Sequence, residues 1–439
     1  MRWLYSILLW VAIPFYFLRL WWRGRKAPMY RERWLERLGF YNHNIKPGGL
    51  WIHTVSLGET IAATPLIKAL QERLPHLPMT VTTTTPTGSQ RVQKTFGATV
   101  QHMYLPYDTP TAVHRFLHKV KPCVGILMET ELWPNLLQAC KAHNIPMVLA
   151  NARMSQRSAQ GYKRIPNLTR DMLQSLELIA AQASADAKRF VALGANEADV
   201  HVLGNLKYVM NLPSDLVHKA EMWQTLWGQD RLIWVAASTH AGEEKDLLTV
   251  HHHLLKKHPN ALLILVPRHP ERFKEITELA SCSFKTAKRS DNDPNHPATS
   301  TLTKDTQVLI GDSMGELMTW FSACDVAFIG GSLIERGGHN PLEPAAVAKP
   351  ILSGPHIFNF TSVYETLEQA DACLITQDID MLSASLQQLF DDSALRRTMG
   401  DAAKDVVNQH QAALSRHLAR IIPLCGDKQV DTQAESINA

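Results

Sequence analysis

The chain has 439 residues, of which 45% are hydrophobic and 20% are charged, and this composition excludes a disordered or fibrous protein. Its length predicts two domains rather than one. The formal net charge of +4 at pH 7 is too small to indicate a nucleic-acid partner, and we expect none. The six cysteines form no C-x-x-C pair, so we predict reduced thiols and neither a zinc site nor a disulfide framework.

An almost wholly apolar segment, Leu4–Trp22, lies at the start of the chain and contains Pro14 and Arg19. Its length approaches that needed to cross a bilayer. Residues typical of a headgroup layer follow, namely Arg23, Arg25, Lys26, Tyr30, Arg31, Arg33, Trp34, Arg37, Phe40 and Tyr41. No small-residue cleavage site follows, which disfavours a signal peptide. We predict a membrane anchor in residues 1–45, either spanning or, as the alternative, lying in the interface, with the domains on the cytoplasmic face.

Beyond residue 46, short β-rich runs alternate with helical stretches, a pattern typical of α/β domains with parallel sheets. The predicted strands of the first half are Leu50–Val55, Met79–Thr84, Gln101–Leu105, Val124–Met128, Met147–Ala150, Leu178–Ala181 and His201–Leu203. Those of the second half are Leu232–Ala237, Ala261–Val266, Val308–Gly311, Val326–Gly330 and Pro350–Leu352. The predicted helices include Ile61–Leu74, Pro134–His143 and one near Asp401–Ile421. The fold class is therefore α/β, with two Rossmann-like domains facing each other across a cleft.

The boundary between the two domains is expected between Gly204 and Gln229. We predict a first domain at 46–210, a second at 225–425 and a polar tail at 426–439. Asp291–Ser300 has the composition of a surface loop within the second domain. The histidines His251, His252 and His253 fall in a helical stretch, where we expect a solvated face.

The first candidate functional residue is Glu59, in the segment between the first strand and its helix. Open α/β sheets bind ligands at the carboxyl ends of their strands, so a carboxylate there could act as a general base. The alternative is structural, since an acidic residue in the first helical turn favours the helix dipole.

The second candidate is the pair Glu129 and Glu131, directly after the strand Val124–Met128. Residues i and i+2 of a strand point the same way, so both carboxylates could face the cleft. The alternative is an ordinary solvated loop.

The third candidate is the glycine-rich segment Gly330–Glu343, which follows the strand at Val326. Asn340 suits an N-cap, Pro341 the first helical position and Glu343 the acid of a capping box. A helix starting at the sheet edge binds phosphate readily, and the glycines would let the backbone approach a ligand. A well-capped helix after a flexible loop explains the cap but not the glycines.

Two shorter segments are expected at the same edge. Arg268 follows the strand Ala261–Val266 and could grip a phosphate, and Gly311–Glu316 follows the strand at Val308. The sequence contains no P-loop, no G-x-G-x-x-G fingerprint and no metal-ligand cluster, so we expect neither a metal nor a cofactor.

Five segments resemble those of the Kdo (3-deoxy-D-manno-octulosonic acid) transferases of Gram-negative lipopolysaccharide synthesis. They are SLGET, METELWPN, VPRHPERF, GDSMGELM and GGSLIERGGHNPLEPAA. The resemblance extends from the N-terminal segment to near the end of the second domain. It implies a GT-B fold, CMP-Kdo as the donor, and the lipid A precursor lipid IVA as the acceptor in the inner membrane.

The resemblance also implies roles for individual residues. Glu59 would be the catalytic base of an inverting transfer, and Glu129 and Lys207 would stabilise the transition state. The donor CMP-Kdo would be held by Pro267, Arg268, Met314, Gly315, Glu316, Asn340, Pro341, Leu342 and Glu343. The alternatives are another GT-B enzyme of envelope synthesis that uses a UDP-sugar, and a non-catalytic membrane scaffold on the same fold.

Overall fold

The computed structural model describes residues 2–25, 27–42, 44–210, 212–228 and 230–426. The chain folds into two compact units. The first runs from the N-terminus to Val209 and also includes the chain from His410, whereas the second is Met210–Gln409. The second domain predicted from the sequence extends to residue 425, whereas the second unit ends at Gln409. The reason is that the last described α-helix, Ala413–Ile421, buries one face in the core of the first unit.

The first unit contains a seven-stranded sheet in the order β3-β2-β1-β4-β5-β6-β7, in which every pairing is parallel. Its strands are β1 Leu50–Thr54, β2 Met79–Thr83, β3 Gln101–Tyr104, β4 Val124–Met128, β5 Met147–Ala152, β6 Leu178–Ala181 and β7 Val200–Val202. Every residue of β1, β2 and β4 is buried, as expected for strands with helices on both faces.

The helices of the first unit that precede Val209 alternate with these strands. They are α1 Arg2–Arg23, α2 Leu57–Arg73, α3 Pro86–Phe96, α4 Pro110–Val120, α5 Pro134–Ala142, α6 Gln156–Tyr162, α7 Pro166–Leu173 and α8 Ser184–Ala192. Successive side chains of a strand point to opposite faces. Trp51 of β1 accordingly packs in one cluster with Phe116 of α4, whereas Ile52 packs in another with Leu66 of α2.

The second unit contains a parallel sheet in the order β10-β11-β9-β8-β12-β13-β14. Its strands are β8 Ile233–Thr239, β9 Leu262–Pro267, β10 Thr286–Lys288, β11 Val308–Ile310, β12 Val326–Ile329, β13 Ile351–Ser353 and β14 Cys373–Ile375. Its helices are α9 Leu216–Trp227, α10 Glu244–Leu255, α11 Phe273–Ser281, α12 Leu317–Ala323, α13 Leu342–Ala346, α14 Thr361–Gln369, α15 Ile379–Asp391 and most of α16 Ser393–Gln411.

The last described helix, α17 Ala413–Ile421, belongs to the first unit. Ala413, Leu418 and Ile421 join the same cluster as α2. His417 is buried, and its Nε2 lies 3.2 Å from the backbone N–H of Asn151 in β5. The helix predicted near residues 401–421 is therefore two helices, of which the second covers the α2 face of the first sheet.

His252 and His253 are exposed, as the sequence predicted, but His251 of the same helix differs from the predicted solvated face. His251 is fully buried, with its Nδ1 3.2 Å from Trp234 Nε1 and its Nε2 2.9 Å from the carbonyl oxygen of Gln307. Burial lowers the pKa of His251 to about 3, so the ring is neutral at pH 7. The prediction was wrong for this residue because a polar ring with two partners is stable in a core.

Among the described residues, α1 is the one helix long and apolar enough to cross a membrane by length and composition. One face packs on the first unit: Tyr16 stacks on Tyr107, and Ser6 exchanges hydrogen-bond contacts of 3.0–3.2 Å with Asn135. The other side is exposed and apolar, with Trp3, Leu4, Leu8, Trp10, Val11, Phe15, Leu18 and Trp22 at its surface. The helix thus has a packed face and an exposed apolar face.

Candidate functional site

The two sheets each reverse their strand order at one point, and ligands of open α/β sheets bind at the carboxyl edge there. In the first unit this point lies between β1 and β4, and in the second between β8 and β12. Glu59 and Glu129 follow β1 and β4, whereas the glycine-rich segment follows β12. The candidate residues of each unit therefore lie where its topology predicts a binding site.

Glu59 lies in the first turn of α2 and is hydrogen-bonded on both carboxylate oxygens. Its Oε2 accepts from the backbone N–H of Val55 at 2.8 Å, and its Oε1 lies 3.1 Å from Ser56 Oγ, the N-cap of the helix. Burial, opposed by the bond from Val55, raises the pKa of Glu59 to about 7, and the charges of Glu131 and Glu129 add to the rise. Glu59 is thus a capping residue and also a carboxyl group that can exchange a proton near neutral pH.

Glu129 and Lys207 form an ion pair beside Glu59. Glu129 Oε1 lies 2.8 Å from Lys207 Nζ, and both side chains are partly buried. Glu129 has a left-handed backbone with φ of 58°, which turns the chain out of β4. Lys207 lies in a single 3-10 turn, Leu206–Tyr208, which Asn205 caps by accepting the Lys207 N–H at 2.9 Å. The left-handed backbone of Glu129 is strained for a residue other than glycine, and such strain is concentrated at functional sites.

Glu131 has a different partner from Glu129. Its Oε2 accepts a hydrogen bond from Trp133 Nε1 at 3.0 Å, and burial raises its pKa. Strand alternation predicts that the carboxylates of Glu129 and Glu131 point the same way. The strand ends at Met128, so that alternation does not apply, although both charges act on Glu59.

A pocket in the second unit contains three of the predicted donor residues, Arg268, Asn340 and Glu343. Its other lining residues are Ala237, Ser238, Leu317, Phe321, Ile329 and His339. Arg268 directly follows β9, and its side chain is exposed. Burial raises the pKa of Glu343, whereas the charge of Arg268 lowers it. The pocket thus combines an exposed cation with amide and carboxyl groups.

The other predicted donor residues lie around this pocket without lining it. Pro267, Pro341 and Leu342 are buried, so they could reach a ligand only through the backbone. Met314 and Gly315 are exposed. Glu316 is held by a bidentate ion pair with Arg289, with contacts of 2.9–3.1 Å. Its carboxylate is therefore already neutralised by a neighbour that the sequence analysis did not identify.

The helix after the glycine-rich segment is short. It is α13, five residues that begin at Leu342, with Pro341 at its N-cap position. Asn340 Oδ1 accepts the N–H of Leu342 at 3.1 Å, as a cap does, but Glu343 Oε1 contacts the Asn340 side chain at 3.4 Å rather than a backbone N–H. The prediction of a capping box was therefore wrong. A helix of five residues also has only a small dipole with which to stabilise an anion.

The glycines of this segment are explained by the protein's own backbone. A Cβ on Gly330 would lie 2.8 Å from the carbonyl oxygens of Ala237 and Ser238, and Gly331 has φ of +68°. Ser238 itself has φ of 57°, at the irregular end of β8. Close approach of β12 to β8 thus requires a glycine at 330.

Glu243 holds the glycine-rich segment in place and was missed by the sequence analysis. It is fully buried, and its two oxygens accept from the backbone N–H groups of Gly331, Ser332, Leu333 and His240 at 2.8–3.0 Å. Four charge-assisted hydrogen bonds to one carboxylate fix the loop beside the pocket. A second acid beside Glu244, at the start of α10, was the only sequence signal for it.

Two histidines lie against the pocket and were also missed. His240 Nε2 and His339 Nε2 are 2.9 Å apart, with rings parallel to within 2°. Burial and the charges of His240 and Arg268 lower the pKa of His339 to about 4, and burial lowers that of His240. Both rings are therefore neutral at pH 7, one nitrogen donating to the other.

Two family models match the chain. Residues 32–210 match the family described as "3-Deoxy-D-manno-octulosonic-acid transferase (kdotransferase)", and residues 230–406 match "Glycosyl transferases group 1". A 3-deoxy-D-manno-octulosonic acid transferase of Haemophilus influenzae is 44% identical over 96% of this chain and 98% of its own length.

Two solved structures are also similar. The C-terminal CMP-Kdo binding domain of WaaA from Acinetobacter baumannii is 32% identical, covering 45% of this chain and 100% of its own, with a TM-score of 0.41. A UDP-GlcNAc 2-epimerase from Neisseria meningitidis shares the fold at 13% identity and a TM-score of 0.52, covering 84% of this chain and 100% of its own. Given the family match and the relative of nearly equal length, the chain belongs to the Kdo transferases, which are glycosyltransferases with two GT-B-type α/β units.

Proposed function

We propose that this protein transfers Kdo from CMP-Kdo to lipid IVA, the lipid A precursor, by an inverting reaction in which Glu59 is the general base. The observation that carries the proposal is the environment of Glu59 at the carboxyl edge of β1. Burial raises its pKa to about 7, where a carboxylate is basic enough to take a proton and is still partly ionised.

The proposed chemistry is a single displacement. A hydroxyl of the acceptor attacks the anomeric carbon of Kdo while Glu59 accepts the hydroxyl proton. The bond between that carbon and the CMP phosphate oxygen breaks, and CMP leaves with the bonding electrons. Attack from the face opposite the leaving group inverts the anomeric carbon. Each carboxylate oxygen of Glu59 has lone pairs beyond the one hydrogen bond that it already accepts.

Lys207 would supply positive charge to this transition state. Its ammonium is held by Glu129 at 2.8 Å, so it is oriented before substrate binds. A cation fixed in advance stabilises developing negative charge without the cost of reorganisation. Glu129 would then be a positioning residue for Lys207.

The pocket of the second unit would bind the nucleotide of the donor. Arg268 is exposed at the pocket and would pair with the phosphate, whereas Asn340 and Glu343 offer amide and carboxyl groups to sugar and base. Pro267, Pro341 and Leu342 would contribute backbone contacts, and Met314, Gly315 and Glu316 would border the donor. The similar domain from A. baumannii is described as binding CMP-Kdo, in keeping with this assignment.

The exposed apolar face of α1 would attach the enzyme to the inner membrane, with both units on the cytoplasmic side. Its packed face is held to the first unit from Ser6 to Phe17, since Phe17 packs on Trp34 at 5.1 Å between ring centroids. This arrangement supports a helix that lies in the interface, the alternative that the sequence analysis placed second. Such a position would bring the first unit to the membrane surface, where the acceptor lipid lies.

The proposal is tested by mass spectrometry of the products formed from lipid IVA. CMP-Kdo should yield a product with the mass of Kdo-lipid IVA, whereas UDP-GlcNAc should yield no product. NMR of the product should show an anomeric configuration of Kdo opposite to that in the donor. Glu59→Gln should lower the rate at least about a hundredfold with CMP binding retained. Glu72→Gln, an exposed carboxylate later in α2, is the matched control and should behave as wild type. Transfer from a UDP-sugar, or equal rates for Glu59→Gln and wild type, would refute the assignment.

A further inference from the structure

A cavity of about 240 Å³ lies inside the first unit, where α1 meets the loops that follow β2 and β3. Much of its wall is apolar or aromatic, including Leu20 and Tyr107, but three arginines also line it: Arg19, Arg23 and Arg37. The volume exceeds the roughly 150 Å³ that accommodates a benzene molecule. It is therefore large enough for a small charged group with a short length of hydrocarbon, but not for a whole acylated lipid.

Arg37 is the unusual member of this wall. The residue is only 2% exposed, and its guanidinium lies 4.4 Å from the ring centre of Tyr104 and donates to the carbonyl oxygen of Thr84 at 2.9 Å. Its Nε is buried without an acceptor, and no ion pair of the described residues includes it. A buried cation without a counter-ion is costly, and an anion bound beside Arg37 would offset that cost.

The nearby acid Asp108 does not supply that anion. Its two oxygens accept the backbone N–H groups of Asn135 and Leu136 at 2.9 and 2.7 Å, which caps α5. Burial also raises the pKa of Asp108 to about 7, so that its carboxyl group is partly neutral at physiological pH. The arginines therefore give the cavity a positive potential.

Two residues that line the cavity are connected by hydrogen bonds to residues around Glu59. Thr85 donates to the carbonyl oxygen of Val55 at 3.1 Å, and the N–H of Val55 donates to Glu59. On another side, Trp133 lines the cavity while its Nε1 donates to Glu131. A molecule in the cavity would thus contact Thr85 and Trp133, which are hydrogen-bonded to Val55 and Glu131 beside Glu59.

We propose that this cavity is an acceptor subsite, in which Arg37, with Arg19 and Arg23, binds a phosphate of the acylated sugar and the apolar wall takes the start of one acyl chain. The inference rests on the proposed function, because it assumes a phosphorylated lipid acceptor. Arginine pairs bidentately with phosphate, and α1 brings apolar surface to the same place. Continuity with the Glu59 site favours the acceptor over bulk phospholipid.

The test compares Arg19→Gln and Arg23→Gln, both exposed at the cavity, with Arg25→Gln. Arg25 belongs to the same basic segment but does not line the cavity, so it matches the loss of charge. The KM for lipid IVA should rise about tenfold or more in the first two variants, as for loss of a charged hydrogen bond. The kcat and the affinity for CMP should stay as in wild type. Arg37→Met, if it folds, should show the same effect more strongly.

Acceptors that lack one phosphate identify the ligand. One of these acceptors lacks the phosphate that we expect to bind in the cavity. For that acceptor, wild type and the Arg→Gln variants should have the same KM. If every acceptor gives equal KM values in wild type and variants, the subsite is refuted. If the variants lose binding to phosphatidylglycerol vesicles while their KM in detergent micelles is unchanged, the cavity holds bulk anionic lipid instead.

Direct binding separates this proposal from the proposed function. Binding of lipid IVA to the wild type and the variants can be measured by calorimetry in micelles without any donor. Weaker binding in the variants supports the subsite even if no Kdo is transferred. Undiminished binding in both variants overturns it even if transfer to lipid IVA is demonstrated.

Discussion

Glu129 and Lys207 meet at 2.8 Å although one follows the central strand of the first unit's sheet, β4, and the other follows the edge strand β7. Neither residue is placed by a regular element: Glu129 has a positive φ, and Lys207 lies in a single turn. Two irregular segments thus converge on one ion pair beside Glu59. Buried or half-buried pairs add little net stability on average, so the pair is better explained by function than by folding.

Breaking this pair should affect the reaction more than the fold. We expect Lys207→Met to lower kcat about a hundredfold, the magnitude found when one preorganised electrostatic group is removed, with the affinity for CMP unchanged. Glu129→Gln should have a smaller effect because the lysine keeps its charge. Lys188→Met, an exposed lysine of α8, is the control. Steady-state kinetics and thermal melting would decide: a lower melting temperature with normal kcat would make the pair structural.

The pH dependence of the rate should report Glu59. Because its pKa is about 7 and the base acts when deprotonated, kcat/KM should rise with pH between about 6 and 8 and then level off. In Glu59→Gln the residual rate should lack this limb. Glu72→Gln should keep it. A limb of unchanged position in Glu59→Gln would assign the titration to another group.

The same group makes a prediction for stability with the opposite sign. The folded-state pKa of Glu59 is raised above its usual value, so between the two values the folded protein binds the proton more strongly. This contribution to the free energy of unfolding is present at low pH and is lost as pH rises through about 7. Chemical denaturation should show that stability of wild type relative to Glu59→Gln declines from pH 5.5 to pH 8. A difference that does not vary with pH would mean that the pKa is not raised.

Most strands of the fold could be predicted from the sequence, whereas the loops that are held by contacts distant in sequence could not. The twelve strands that the sequence predicted are present because buried parallel strands are continuous apolar runs. The edge strands Thr286–Lys288 and Cys373–Ile375 were missed; each is short, and only one of its three residues is buried. Glu243 and Arg289 act on segments distant in sequence, a relationship that local patterns do not contain. The helix at Leu342 starts close to the position that the capping residues predicted, but capping signals do not indicate that it is only five residues long.

Arg268 should be needed for the donor rather than for the acceptor. Arg268→Ala removes the exposed cation of the pocket, and calorimetry should show CMP affinity about ten- to a hundredfold weaker. Lys274→Ala removes an exposed cation of α11 that lies away from the pocket lining, and it should leave CMP affinity unchanged. The KM for lipid IVA should be the same in all three proteins. Unchanged CMP affinity in Arg268→Ala would remove this residue from the donor site.

Glu243 should be required for both stability and donor affinity, although it lines no part of the pocket. Glu243→Gln keeps the shape but offers one acceptor oxygen where the carboxylate offers two, so backbone N–H groups of the glycine-rich segment lose partners. We expect a loss of about 1–3 kcal/mol in the free energy of unfolding. CMP affinity should fall as well, because the loop borders Asn340. Glu244→Gln is not a suitable control, because Glu244 pairs with Arg272. Glu278→Gln changes an exposed glutamate and is the control. Weaker folding with full CMP affinity would confine Glu243 to a structural role.

The placement of α1 in the membrane follows from the length of its packed face. Ser6 contacts Asn135 and Phe17 contacts Trp34, and these positions are separated by about 16 Å along the helix axis. That is more than half of the roughly 30 Å of hydrocarbon in a bilayer. A spanning helix would therefore draw the polar start of α5 into the hydrocarbon or break these contacts. We predict that α1 lies in the interface with both of its ends on the cytoplasmic side.

Cysteine labelling can test this placement. Arg2→Cys would be introduced on a Cys282→Ser background, because Cys282 is the one exposed native thiol among the described residues. A membrane-impermeant maleimide should label residue 2 in inside-out vesicles and not in right-side-out spheroplasts, since the helix does not cross. An introduced cysteine at exposed Lys274 marks the cytoplasmic side in the same vesicles. Labelling of residue 2 from the periplasmic side alone would show that α1 spans the membrane, and the contacts of Ser6 and Phe17 with the first unit would then have to be absent in the cell.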